Sequence, residues 1–228
     1  NDDDFTPKGK NHWGYKRFEK KKNNIYKTII SMGIDSLPVV VGVCEVENDW
    51  TLKQLCFNTP LYKFGYNYVH YDSPDQRGID VALLYRKDYF KLIYSEPIPI
   101  TDDADSAFKT RDILLVSGTV FEKDTLFLLL NHFPSKRGGG YAENKRTLAA
   151  TQLANVIDTI VQRHRNAGIV IMGDFNDTPF DQSIVSTLGV SPYEKDWDKN
   201  ILINLMTDIS DKGGTYKRSE ERRVGKEC

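Results

Sequence analysis

The residues of this chain best suited to chemistry stand at the ends of apolar runs. Ile169-Val170-Ile171-Met172 leads into Gly173-Asp174-Phe175-Asn176-Asp177. Four apolar residues read as a buried strand, and Gly173 then frees the backbone. In an extended strand end, positions two apart face the same side, which would turn Asp174 and Asn176 together and send Phe175 the other way. A carboxylate that can take a proton or hold a metal, beside an amide that can donate to an oxyanion, suits hydrolysis. On these residues alone, a strand followed by an Asp/Asn turn reads at least as well.

Two other apolar runs end the same way. Val39-Val40-Val41-Gly42-Val43-Cys44 delivers Glu45, with Glu47 two residues on, and open sheets present ligands for hard cations such as Mg²⁺ in this manner. Leu126-Phe127-Leu128-Leu129-Leu130 ends in Asn131-His132-Phe133-Pro134-Ser135, and a histidine there can serve as acid or base near neutral pH. One such ending could be an accident. Three of them, separated by whole secondary elements, argue for a shared site at one edge of the sheets. The following Lys136-Arg137-Gly138-Gly139-Gly140 loop could bring cations to a phosphate, though alone it reads as surface.

These ends need elements to position them. With 228 residues, 39% hydrophobic and 28% charged, the chain has enough apolar material for one large α/β domain. Phe18, Ile25, Ile29 and Met32 share helical spacing, with Gly33 as a C-terminal cap and Lys20-Lys21-Lys22 on a solvated face. A short helix over residues 51–57 precedes an alternating aromatic strand, Tyr66-Asn67-Tyr68-Val69-His70-Tyr71, in which His70 reads as a partly exposed strand residue. Turn chemistry at Ser73-Pro74-Asp75-Gln76-Arg77-Gly78 returns the chain as a second arm over residues 79–85. Short strand pieces follow at 90–94 and 97–100, then a hairpin of core strands at 112–120 and 125–130. A helix over 141–165 feeds the Asp174 strand, so strand, crossover helix and strand imply an α/β sandwich. A short helix begins at Thr178-Pro179, and Gly213-Gly214-Thr215-Tyr216-Lys217 opens another strand.

Charge and cysteines narrow the classes. A net charge of −1 supplies no global field toward nucleic acid or acidic membranes, so phosphate-seeking character must be local. The three cysteines form neither a CxxC nor a ligand cluster. No apolar run approaches a membrane span, and the expected state is a monomer.

Taken together, Pro38-Val39-Val40-Val41-Gly42-Val43-Cys44-Glu45-Val46-Glu47-Asn48, Asn131-His132-Phe133-Pro134-Ser135 and Gly173-Asp174-Phe175-Asn176-Asp177 resemble the successive motifs of the endonuclease/exonuclease/phosphatase superfamily. The resemblance runs over roughly residues 34–216, and the stretch from His70 to Arg86 is similar to its bacterial branch. It implies a four-layer α/β sandwich, two packed mixed sheets flanked by helices, and a phosphoesterase dependent on Mg²⁺ or Mn²⁺. By the same resemblance, Glu45 would be the metal ligand and Asp174 would orient or deprotonate water. Asn176 would hold a phosphoryl oxygen, His132 would stabilise charge or assist proton transfer, and Arg111 and Asn131 would be lesser substrate contacts.

The departures shape further expectations. Members of the superfamily usually begin with a strand carrying a metal-binding Asn and end with a strand carrying an Asp-His pair, and neither motif is in this sequence. Residues 218–228 resemble the translation of a sequencing-adapter oligonucleotide. The expectation is a partial domain over residues 1–217 with an artefactual tail, unpaired sheet edges, and little fold or activity of its own. Two rivals stand beside this reading. Gly173-Asp174-Phe175-Asn176-Asp177 also fits the GDxxD of calcineurin-like dinuclear phosphoesterases, but Leu130-Asn131-His132-Phe133 lacks that family's Gly and acid. The other is a phosphate-ligand-binding protein on the same scaffold. The substrate class is a phosphate ester of nucleic acid, nucleotide or phospholipid headgroup, which fold does not choose among; compartment is open.

Overall fold

The computed structural model describes residues 3–33, 36–136, 140–165, 168–192 and 202–210. The chain divides into two compact units, one of Asn1–His132 with Ile160–Gly173, the other of Phe133–Thr159 with Asp174–Cys228.

The first unit is built around two sheets. Helix α1 (Tyr15–Ser31) is followed by β1 (Val40–Val46), and Asn48 then caps α2 (Asp49–Phe57) by accepting the Thr51 amide at 3.0 Å. Strands β2 (Tyr66–His70) and β3 (Asp80–Arg86) complete an antiparallel sheet in the order β1-β3-β2. The second sheet orders β4 (Phe90–Ile98), β5 (Ile113–Val120), β6 (Asp124–His132) and β7 (Gly168–Asp174).

Burial follows the strand period of two. Val69, Val81, Leu83 and Tyr85 of the first sheet pack on Phe90, Leu114, Val116, Leu128 and Leu130 of the second. The alternate positions of the first sheet, Ala82, Leu84 and Tyr66 among them, meet Ile29 of α1 and Leu52, Leu55 and Cys56 of α2. Each fully buried aliphatic contributes about 2 kcal/mol, and β3, buried on both faces, gains most. Burial pushes the Cys56 thiol up to about 12, so this cysteine is inert packing. Ile113, Leu115, Phe127 and Leu129 are buried as well, and His164, just past the helix α3 (Gly140–Arg163), lies 4.9 Å from the Phe127 ring. Two sheets flanked by helices are thus the observed architecture, as expected.

Three local expectations are corrected. The pieces at 90–94 and 97–100 are one strand that ends at Ile98, broken in register between Leu92 and Tyr94; Pro97 fits because β4 is, among the described residues, an edge that owes no amide to a further neighbour. Met32 lies beyond the last helical turn of α1 and is exposed, so the apolar stripe ends at Ile29 and Ile30. Near Thr178 the chain forms a π-helical turn at Ser183–Thr187 rather than an ordinary short helix. A small parallel pair joins β8 (Ser191–Pro192) to β9 (Ile203–Asn204). The strand expected at residues 213–217 and the tail expected at 218–228 lie outside the described residues.

Gly173 sets the tightest approach in the first unit. Its φ is +133°, and a Cβ there would sit 1.9 Å from the Asn131 carbonyl oxygen, an atom of a core strand that cannot yield. Gly173→Ala is expected to cost about 3 kcal/mol from combined backbone strain and overpacking. Gly140→Ala, where nothing lies within 4 Å, should change stability by well under half of that, and paired urea denaturation curves compare the two.

Candidate active site

In the first unit, one sheet edge gathers the expected residues of β1 and β6. Glu45 is the extra residue of a bulge between Cys44 and Val46, left-handed at φ 59°, and its carboxylate is exposed. The Cys44 thiol reaches the Asn131 carbonyl at 3.7 Å, so the strand ends carrying Glu45 and His132 meet at the same edge. A bulge re-aims a side chain that an unbroken strand would have committed to one face.

Arg111 and Asn131, expected as lesser substrate contacts, both lie buried against backbone. Arg111 is 5% exposed; it holds Asp75 at 2.8 Å and donates from Nε to the His132 carbonyl at 3.1 Å. Asn131 is fully enclosed, its Nδ2 donating to the Leu129 carbonyl at 3.0 Å. Both therefore brace the backbone around His132, itself buried, rather than reach outward. Asp75, which the sequence presents only as turn chemistry, is the missed partner.

His70 closes β2 with intermediate exposure, as expected of a partly exposed strand residue. Its side chain alone is 4% exposed and lies 3.1 Å from Asp80, whose other oxygen accepts from the Ser73 amide at 2.9 Å and the Ser73 hydroxyl. Burial pushes the Asp80 carboxyl up, but the hydrogen bonds from His70 and Ser73 together hold it below the usual range. A lone acid heading an apolar strand is the sequence signal for this pair. Asp112 faces the same water-sized cavity as Asp80 and Ser73; burial, then the Asp80 charge, raises its carboxyl, and its Oδ1 is buried without a hydrogen-bond partner.

The second unit holds Asp174 and Asn176, and they do not share a face. Asn176 is left-handed at φ 50°, so the chain turns at the strand end instead of continuing extended. The Asp174 carboxylate, exposed, accepts the Asn176 amide at 2.9 Å, while the Asn176 side chain is buried and donates to the Phe133 carbonyl at 2.9 Å. This is the Asp/Asn turn that the sequence also allows. The Phe133 amide binds the Asp174 carbonyl at 2.8 Å, and the Phe175 ring meets Phe133 edge-on.

An ion cluster fixes the next residue. Asp177, its side chain 3% exposed, is held by Lys136 at 3.1 Å, by Arg146 at 2.9 Å and by the Ser183 hydroxyl; Lys136 also holds Asp181 at 2.6 Å. Burial opposes the charge on Lys136, but Asp181 and Asp177 together raise its ammonium, and Lys136 in turn keeps the Asp181 carboxyl low against burial. Lys136 is therefore a structural cation here, not a free phosphate contact. Arg137, Gly138 and Gly139 lie outside the described residues.

One donor cluster and one lone carboxylate could serve a divalent cation. Ligand atoms of His70, Asp72 and Asp80 lie within 4.8 Å of one another, but both Asp80 oxygens are already engaged, and a set with imidazole suits Mn²⁺ or Zn²⁺ better than Mg²⁺. Glu45, exposed at a strand end, is the better fit for a hard cation that keeps several waters.

The first unit thus joins two packed sheets to a carboxylate, Glu45, and an imidazole, His132, at strand ends. The chain belongs to the Endonuclease/Exonuclease/phosphatase family, whose pattern it matches over residues 1–223. No curated protein is significantly similar to it in sequence. The human Nocturnin catalytic domain with bound sulfate is 19% identical, with a TM-score of 0.61 over 87% of this chain and 69% of that one. Humanized D. rerio TDP2 is 19% identical, with a TM-score of 0.55 over 77% of this chain and 62% of that one. ANGEL2, described as a 2',3'-cyclic phosphatase, is 17% identical, with a TM-score of 0.57 over 76% of this chain and 47% of that one. The chain thus spans less than two thirds of the TDP2 and ANGEL2 structures it resembles. The family leaves no place for the calcineurin-like rival, which has a different fold.

The strained and the buried carboxylate each give a measurable expectation. Glu45→Gly should stabilise the fold by about 1 kcal/mol, since glycine relieves the left-handed backbone, and paired thermal unfolding curves read it. Asp112→Asn should stabilise at neutral pH, because a carboxyl raised in the folded state is penalised when ionised. That gain should fade as pH falls through about 4, where the unfolded carboxyl is protonated too, and urea midpoints from pH 3 to 7 check it.

Proposed function

We propose that this protein is a divalent-metal phosphoesterase that cleaves phosphodiester or phosphomonoester bonds by in-line attack of water. The observation that carries the reading is the exposed carboxylate of Glu45, held in a left-handed bulge at the sheet edge where the Asn131-His132 strand also ends. A non-glycine residue kept in that conformation marks a position chosen for what its side chain does.

Each side chain takes a role that its surroundings support. Glu45 would hold Mg²⁺, or Mn²⁺ in its place; when bound, such an ion neutralises charge on the phosphoryl oxygens. Asp174, exposed and hydrogen-bonded to its own turn, orients and deprotonates the attacking water. His132, its backbone braced by Arg111 and through it by Asp75, stabilises negative charge on the phosphate or passes a proton. Asn176 spends one amide hydrogen on Phe133 and keeps its other amide hydrogen for a phosphoryl oxygen. Arg111 and Asn131 act as positioning residues.

The second reading is a phosphate-binding protein without catalysis, and experiment separates the two. Titration with Mn²⁺ followed by electron paramagnetic resonance should show one site that Glu45→Gln weakens at least tenfold. Hydrolysis of bis(p-nitrophenyl) phosphate should require Mg²⁺ or Mn²⁺ and stop with chelator. Asp174→Asn and His132→Ala should each lower kcat by about a hundredfold or more with little change in KM. Metal binding indifferent to Glu45 would overturn the assignment; metal binding without hydrolysis would select the binding-protein reading.

A further inference from the structure

The pair of His70 and Asp80 leaves negative charge uncompensated. Its side chains are 4% and 5% exposed and meet at 3.1 Å, where β2 ends and β3 begins. Asp112 borders the same water-sized cavity as Asp80, and the charge of Asp80 acts on it. Among the described residues no lysine or arginine pairs with either acid, and Asp112 Oδ1 is buried without a hydrogen bond. One imidazole thus serves two carboxylates.

Asp72 brings a third carboxylate to the same place. Ligand atoms of His70, Asp72 and Asp80 all lie within 4.8 Å of one another. Asp72 is exposed and, among the described residues, has no hydrogen bond or ion pair. Like charges held together at the mouth of a buried pair repel, and a bound cation reverses that cost.

The spacing of the buried pair suits a particular kind of ion. Two ligands of a tetrahedral zinc, each about 2.0–2.1 Å from the ion, stand about 3.3 Å apart. His70 Nε2 and Asp80 Oδ2 already stand at 3.1 Å, so an ion can replace the hydrogen they share with little movement of either side chain. The Ser73 amide and hydroxyl both donate to Asp80 Oδ1, which fixes the carboxylate and leaves Oδ2 to face the imidazole. Hydrogen bonds behind a carboxylate orient metal ligands in this way. The engagement of both Asp80 oxygens, which disfavours a hydrated hard cation, is therefore compatible with a tetrahedral one.

We propose that His70, Asp72 and Asp80 form a zinc site, with water as the fourth ligand. Val46 stands opposite Asp80 across β1 and β3, so the site neighbours the Glu45 bulge, yet Glu45 is not among its ligands. A set with imidazole binds Zn²⁺ more tightly than Mn²⁺, so with zinc seated there the hard cation is left to Glu45. The ligands come from both ends of the 71–79 loop, and the ion would clamp that loop. The loop carries Asp75, which holds Arg111 against the His132 carbonyl. This inference goes beyond the phosphoesterase reading and stands whether or not a phosphate ester is hydrolysed.

The test is isothermal titration of the full chain with Zn²⁺ in excess Mg²⁺, which should show one site. Co²⁺ in place of Zn²⁺ should give the visible absorption of a four-coordinate ion. Asp72→Asn, a change at an exposed side chain, should weaken Zn²⁺ by about tenfold or more, His70→Gln by about a hundredfold or more, and Ser73→Ala by about tenfold through the orientation of Asp80. Zn²⁺ should raise the unfolding temperature of the parent and of Glu45→Gln alike, and that of Asp72→Asn less. Zinc affinity unchanged in Asp72→Asn overturns the proposal even where His70→Gln fails to fold. Absence of zinc binding overturns it too, as does zinc binding that Glu45→Gln abolishes, which would put the ion at the hard-cation carboxylate. Zinc binding without hydrolysis of the small diester overturns only the phosphoesterase reading.

Discussion

The Asn131 carbonyl is the point on which the first unit closes. The Gly173 backbone passes so near it that a Cβ would occupy its place, and the Cys44 thiol approaches it from β1. Three strand ends therefore reach a common edge because one of them carries no side chain at that approach. Asn131 itself is fully buried, and Arg111 grips the next carbonyl in the chain, that of His132. The candidate site depends on this edge. Move it, and Glu45 and His132 no longer belong to one surface.

In each unit the structure invests polar groups in holding one another rather than in reaching outward. In the first, Asp75 holds Arg111, and Ser73 and His70 hold Asp80; in the second, Lys136 and Arg146 hold Asp177. Buried ion pairs of this kind add less stability than geometry, because desolvation offsets most of the attraction. Geometry is what the proposed phosphoryl chemistry would require, since a misplaced donor cannot follow charge as it develops. The strained φ of Glu45 fits the same pattern, with local backbone cost accepted where the side chain must project.

The contrast between the two kinds of cation in this protein is instructive. Lys136 and Arg111 sit where the sequence alone suggests phosphate contacts, yet each is committed to acids nearby. Lys16, Lys20 and Lys27 of α1 read as ordinary solvated charge, and they are exposed along one line with, among the described residues, no ion pair. A cation's availability is a property of its neighbours, and neighbours more than four residues away are invisible to a helix pattern.

The sequence by itself determined the sheets, the helices and the strand ends that matter. Apolar runs read as buried strands, β-branched before Glu45 and Asp174 and leucine-rich before His132, and a polar residue ends each run, so Glu45, His132 and Asp174 are legible as site candidates. Order and spacing of those motifs carry the family as well. Tertiary structure decided what local pattern could not. The left-handed turn at Asn176 parts it from Asp174, where a period of two would join them, because the Asp174 carboxylate captures the Asn176 amide. Asp75 meets Arg111 across 36 residues, and Lys22 turns inward while Lys20 stays out. Each of these pairs residues whose proximity exists only after the chain has folded, and that is why no pattern of neighbours along the sequence could supply it.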